Sequence, residues 1–130
     1  MTFSVCIDVP NLADGIRFYS RAFGFRETAN PFEGVALLKA SGQEVCLLEK
    51  AEGSAASNTT DDTRRYGRHW TPVHLDFLVA DLDEALRKAT AAGAIVEEVH
   101  RDSESIAFCC DPFGHGFCLI EHPEKKPNTA

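Results

Sequence analysis

The chain states one pattern twice. Residues 5–23 read VCIDVPNLADGIRFYSRAF, and residues 75–93 read LDFLVADLDEALRKATAAG. Each has an apolar strand pattern, a short break and an amphipathic helix pattern. Leu12, Ile16 and Tyr19 in the first copy fall 70 residues before Leu82, Leu86 and Ala89 in the second. The copies also close alike, with CLLE at 46–49 and CLIE at 118–121. An internal repeat constrains architecture before any single motif does, and two copies at so long a period describe a duplicated module rather than a solenoid.

At 130 residues the chain is long enough for one ordinary domain or two very small ones that share a core. No apolar run approaches the roughly 20 residues of a membrane span. The opening MTFSVCIDVP has neither a basic stretch nor a small-residue cleavage site, so a cytoplasmic protein is expected. The formal charge of −7 argues against a nucleic-acid partner, which needs clustered Lys and Arg. The basic cluster Arg64, Arg65 and Arg68 reads as a solvated loop that could also meet an anion. Cys6, Cys46, Cys109, Cys110 and Cys118 are odd in number and all lie in predicted strands. Buried, reduced thiols are expected rather than a disulfide framework.

The first module, residues 1–50, reads strand 3–9, helix from Asn11 to Gly24, then strands near 25–31, 34–40 and 43–49. Residues 51–70 are rich in Ser, Thr, Asp and Gly and read as a linker, mobile in its middle. The second module, 71–122, repeats the order. Strand 73–79 precedes a helix over 82–92, opened by Asp81 with Glu84 in capping-box spacing. Strands near 94–100, 105–110 and 115–121 follow, the last two joined by the DPFG turn at 111–114. Residues 123–130 are a polar tail. Each module is therefore βαβββ, and the fold class is α+β.

Strand alternation places Val5, Ile7 and Val9, and likewise Leu75, Phe77 and Val79, toward the helix. The opposite faces carry Ser4, Cys6 and Asp8 in one copy and His74 and Asp76 in the other. A polar sheet face that recurs at matching places predicts a lined small-molecule cavity. Asp8, Asp76 and, in the same phase, Glu44 predict an acidic lining suited to a cationic or polyhydroxylated ligand.

Three segments carry a resemblance: VPNLADGIRFYSRAFGF (9–25), HLDFLVADLDEALRKATAAGA (74–94) and DPFGHGFCLIE (111–121). Found in this order, they resemble the vicinal oxygen chelate superfamily, which includes glyoxalase I, extradiol dioxygenases, fosfomycin-resistance enzymes and bleomycin-resistance proteins. The resemblance covers about residues 3–122. It implies that two βαβββ modules form a cupped, incomplete mixed-sheet barrel, that the ligand is a small organic molecule, and that the protein is a homodimer. It also implies four metal positions, on the first and last strands of each module. These fall on Ser4, Cys46, His74 and Cys118, with Leu47 one residue from the looser Cys46 placement.

Only His74 is a typical ligand of that superfamily, so the expectation is a small-molecule binder in which the standard metal site is lost and no cofactor is favoured. Its ligand-binding residues are Ser4, Cys6, Asp8, Cys46, His74, Asp76 and Cys118. A second possibility is a lyase or dioxygenase-type enzyme whose divalent metal, Zn²⁺ or another, sits on His74, Cys46 and Cys118. A third is metal-free acid/base catalysis by His74 with Asp76. His115 is expected to be structural, Phe113 and Phe117 to pack, and Glu121 to lie at a strand end without ligating.

Overall fold

The structure, a computed structural model, describes residues 1–122; the expected tail at 123–130 lies outside the described residues. The chain divides into two units, the first Met1–Gly67 and the second beginning at Arg68. In the first, β1 (Val5–Val9) leads to α1 (Leu12–Phe23), β2 (Arg26–Phe32), β3 (Val35–Ala40) and β4 (Gln43–Glu49). The second repeats this with β5 (Leu75–Val79), α2 (Leu82–Ala92), β6 (Ile95–Arg101), β7 (Ser105–Cys110) and β8 (Gly116–Glu121). Each unit holds one four-stranded mixed sheet, ordered β1-β4-β3-β2 and β5-β8-β7-β6. The first and last strands of each module are parallel and central-to-edge partners; the other pairings are antiparallel. Among the described residues no helix is long and apolar enough to cross a membrane.

The helices start where the caps predict. The Asn11 side chain accepts from the Asp14 N–H at 3.0 Å and that of Asp81 from the Glu84 N–H at 3.1 Å. The reciprocal half of the capping box is absent, because the Glu84 carboxylate is bonded to Arg87. Another carboxylate takes part at each helix start. Glu49 accepts from the Leu12 N–H at 2.8 Å, and Glu121 from the Leu82 N–H at 2.9 Å. The glutamates that end CLLE and CLIE thus bind the first turn of their own module's helix, where orphan N–H groups and the helix dipole favour an anion. α1 stops at Gly24, which is left-handed at φ 75° and free of a Cβ penalty there.

Helix packing on each sheet makes the core. α1 buries Gly15, Phe18, Tyr19 and Ala22; Ile16, expected on this face, is only half-buried. Gly15 is the point of closest approach: a Cβ there would sit 3.1 Å from both Val9 methyls and 3.2 Å from Leu47 Cδ1. In the second module Leu82 and Ala89 face a sheet whose Ala107 and Leu119 are fully buried. Phe113 and Phe117 pack as expected, each 5% exposed.

The segment expected as a linker does not behave as one unit. Residues 51–66 fold back on the first module. Ala55 and Thr63 form an antiparallel bridge, and Arg64 exchanges backbone bonds with Gly53 and Ser54. The Arg64 guanidinium donates to the carbonyl of Ala55 and, at 2.6 Å, to the Asp8 carboxylate. Residues from Arg68 onward belong to the second module, where His69 bridges to His115 in parallel.

Candidate functional site

The duplicated strands pair residues at equivalent positions within each module. In the parallel β1–β4 pair, Cys6 is the register partner of Cys46; in β5–β8, Asp76 is the partner of Cys118. Paired residues on neighbouring strands point to the same face. The alignment of Cys46 with Cys118 is therefore the one the ladders keep, and Leu47 pairs instead with Ile7 on the opposite, helix-facing side. Ser4 and His74 both stand immediately before their strands, one residue outside the hydrogen-bonded ladder. The expected strand 73–79 thus begins later, at Leu75, and His74 is held by its side chain rather than by the sheet.

In the second module His74, Asp76 and Cys118 meet. The His74 imidazole Nε2 lies 3.1 Å from Asp76 Oδ1, and both side chains are about half exposed. Cys118 is buried at 6% exposure. Burial first, and then the charge of Asp76 with a hydrogen bond to it, push its thiol up to about 11. The thiol is consequently neutral at physiological pH. The ligand atoms of these three residues all lie within 4.8 Å of one another. A nitrogen, an oxygen and a sulfur donor with an open side suit a borderline divalent cation such as Zn²⁺. The trio differs from the sequence-based set by having Asp76 where Cys46 was expected; Cys46 lies in the first module.

His74 and Cys118 line a cavity of about 160 Å³ whose other walls include Arg68, Trp70, Glu97, Phe108 and Phe117. Phe108 is the register partner of Cys118 on β7, which puts its ring beside the thiol. Arg68 forms a two-pronged pair with Glu97, at 2.7 and 3.2 Å. The pairing hydrogen bonds hold the Glu97 carboxyl below the usual carboxylate range and raise Arg68. The guanidinium lies so close over Gly116 that a Cβ there would be 2.7 Å from its Nη2. Arg68, Glu97, Trp70 and Phe108 were not among the sequence-predicted site residues. Glycine following His115 was the available sign that something approaches the start of β8 closely.

The acidic lining expected from Asp8, Glu44 and Asp76 is offset by partners. Arg64 meets Asp8, Lys39 meets Glu44 at 3.8 Å, and His74 meets Asp76. Two members of the basic cluster are likewise paired with carboxylates, Arg64 in one unit and Arg68 in the other. His115 has the structural place expected. Its N–H donates to the buried Asp111 carboxylate at 2.9 Å, and its ring packs edge-on to His69. Glu121 is engaged as a helix cap.

No curated protein matches the chain in sequence. Several solved structures share its fold at low identity. A hypothetical protein from S. aureus is 21% identical, with 93% of each chain covered and a TM-score of 0.72. Lactoylglutathione lyase from Agrobacterium tumefaciens is 20% identical, with 96% of each chain covered and a TM-score of 0.65. A mutant of the fosfomycin resistance protein FosX from Listeria monocytogenes, in complex with Mn(II) and 1S,2S-dihydroxypropylphosphonic acid, is 16% identical; 90% of this chain and 86% of that one are covered, with a TM-score of 0.68. The glyoxalase-like domain family matches residues 4–120. Nearly the whole duplicated pattern is included in that match, and the chain belongs to the glyoxalase-like domain family, within the vicinal oxygen chelate superfamily.

Proposed function

We propose that the protein binds a small organic molecule in the second-module cavity, with the His74–Asp76 pair as its polar anchor. The observation that carries this reading is that His74, held by Asp76 from behind the cavity lining, and a neutral, buried Cys118 thiol share a cavity walled by Trp70, Phe108 and Phe117. Ligand sites are mostly apolar concavities with a few convergent polar groups. At about 160 Å³ this one is smaller than the roughly 300–1,000 Å³ of drug-sized sites, which suits a small molecule or one end of a larger one. The neighbours named above as a lyase and a resistance protein take their names from small organic molecules, which agrees with this reading. Arg68 is committed to Glu97, so the anchor is the dyad. The imidazole can accept a proton from a ligand hydroxyl or acidic C–H, and Asp76 holds the ring.

A second reading is favoured by the closeness of the three donors. His74 nitrogen, Asp76 oxygen and Cys118 sulfur would hold a divalent cation of the Zn²⁺ type. Such a cation, when bound, polarises a carbonyl or phosphoryl oxygen as a Lewis acid. Cys118 would have to release its proton, so affinity would fall as pH falls.

Elemental analysis of tag-free protein separates the two. Stoichiometric metal that disappears in His74→Ala and Cys118→Ser supports the second reading and overturns the metal-free one. If no metal is retained, thermal-shift screening with small polar aromatic and phosphonate compounds tests the first. Stabilisation lost in His74→Ala and Asp76→Asn is the expected result. Stabilisation that survives both changes would refute the dyad as anchor.

A further inference from the structure

Two cysteines of the first module stand where Asp76 and Cys118 stand in the second. Cys6 on β1 and Cys46 on β4 are direct register partners of a parallel pair, so their side chains leave the same face of the sheet side by side. Among the described strands this is the single register pair composed of two cysteines. Their environments differ. Cys6 is exposed and Cys46 is buried. We propose that Cys6 and Cys46 close reversibly into a cross-strand disulfide, making this sheet face an oxidation site.

The spacing of paired strands is compatible with the bond. Neighbouring strands lie about 4.8 Å apart, inside the roughly 4.4–6.8 Å between Cα atoms of a cystine. The ladder, rather than the torsional preference of the bridge, then sets its shape, and a bridge so constrained is readily reduced. The asymmetry assigns the order of events. Hydrogen peroxide reaches exposed Cys6. Its thiolate sulfur attacks the near peroxide oxygen, the O–O bond breaks, and the departing oxygen leaves as water after taking a proton. Cys6 is now a sulfenic acid. The Cys46 sulfur attacks Cys6 Sγ, the S–O bond breaks, and hydroxide takes the Cys46 proton to form a second water. One peroxide and two thiols become one disulfide and two waters, and a thiol reductant reverses the bond. Burial, with Cys6 beside it, raises the Cys46 thiol, so exposed Cys6 is the sulfur that meets the oxidant first.

The test is peptide mapping of the intact protein after stoichiometric hydrogen peroxide, without reductant, followed by dithiothreitol. The expected product loses two hydrogens in mass, carries the peptides of Cys6 and Cys46 joined, and returns to starting mass on reduction. Cys6→Ser should abolish the change. Cys46→Ser should leave Cys6 trapped as a sulfenic acid, read as a dimedone adduct. Cys110→Ser, at a buried site apart from this pair, should oxidise like wild type. Oxidation that stops at a stable Cys6 adduct in the wild-type protein, or a bridge that joins other cysteines, would overturn the proposal. So would a wild-type protein that consumes no peroxide while a free-thiol count confirms all five thiols reduced.

Discussion

Removing the Glu121 carboxylate should weaken the second module through its helix. Its Oε2 accepts from the Leu82 N–H at 2.9 Å in a partly buried setting. A hydrogen bond to a charged group contributes about 1.5–3 kcal/mol, and an anion at a helix start adds about 0.3–1 kcal/mol through the dipole. Partial exposure argues for the low end, so Glu121→Ala should cost about 1.5 kcal/mol. At about 2.1 cal/mol/K per residue, the unfolding entropy of a chain this size converts that to a Tm drop of about 5 °C. Glu121→Gln keeps an acceptor oxygen and should recover part of the loss. Glu49→Ala should cost less, because Glu49 is exposed. Calorimetry or thermal melts followed by circular dichroism give the answer. An unchanged Tm for Glu121→Ala, or a larger drop for Glu49→Ala, would show that the strand-end glutamates do not hold the helix starts.

Further outcomes follow from the same contacts. Gly116→Ala would push a methyl into the Arg68 guanidinium, so the Arg68–Glu97 pair should break and ligand affinity in the cavity should change, measured by calorimetric titration. The folded state holds Glu97 more acidic than the unfolded chain does. Its contribution is therefore present above the ordinary carboxylate pKa and lost as pH falls through the depressed folded value, and wild-type and Glu97→Gln melting curves should converge at acid pH. With thiols raised to about 11, Cys118 and Cys109 should alkylate much more slowly with iodoacetamide at neutral pH than exposed Cys6, as peptide mapping would show. Asp8→Ala should release Arg64 and speed proteolysis within residues 51–63.

What could be read from the residues alone was whatever is local or repeated. Period-two alternation marked the first strand of each module, turn residues bounded the later strands, and Asn11, Gly24, Asp81 and Gly93 marked the helix ends within a residue. The 70-residue offset placed Ser4 against His74, and the closing CLLE and CLIE placed Cys46 against Cys118; the parallel ladders keep that register. What escaped was long-range side-chain pairing. Nothing near Arg64 in sequence names Asp8, 56 positions away, and nothing near Arg68 names Glu97, 29 away. Those partners are chosen by sheet order, so the linker looked featureless and the site looked more acidic than it is. The same cause hid the cavity walls, because Trp70 lies in the polar stretch and Phe108 reads as one more strand residue.

The helix caps also bear on how a module comes into being. Glu49 is 37 residues from Leu12, and Glu121 is 39 from Leu82, so each cap joins the beginning of a module to its end. Such a bond forms only after the chain has closed a loop nearly a module long. A contact made that late is absent from an early folding nucleus, and its loss accelerates unfolding while leaving the folding rate nearly unchanged. The repeated terminal glutamate is then a latch on an assembled unit. A copy cut short of it would still reach its fold, yet would open sooner, which gives a duplicated gene a reason to keep both copies whole.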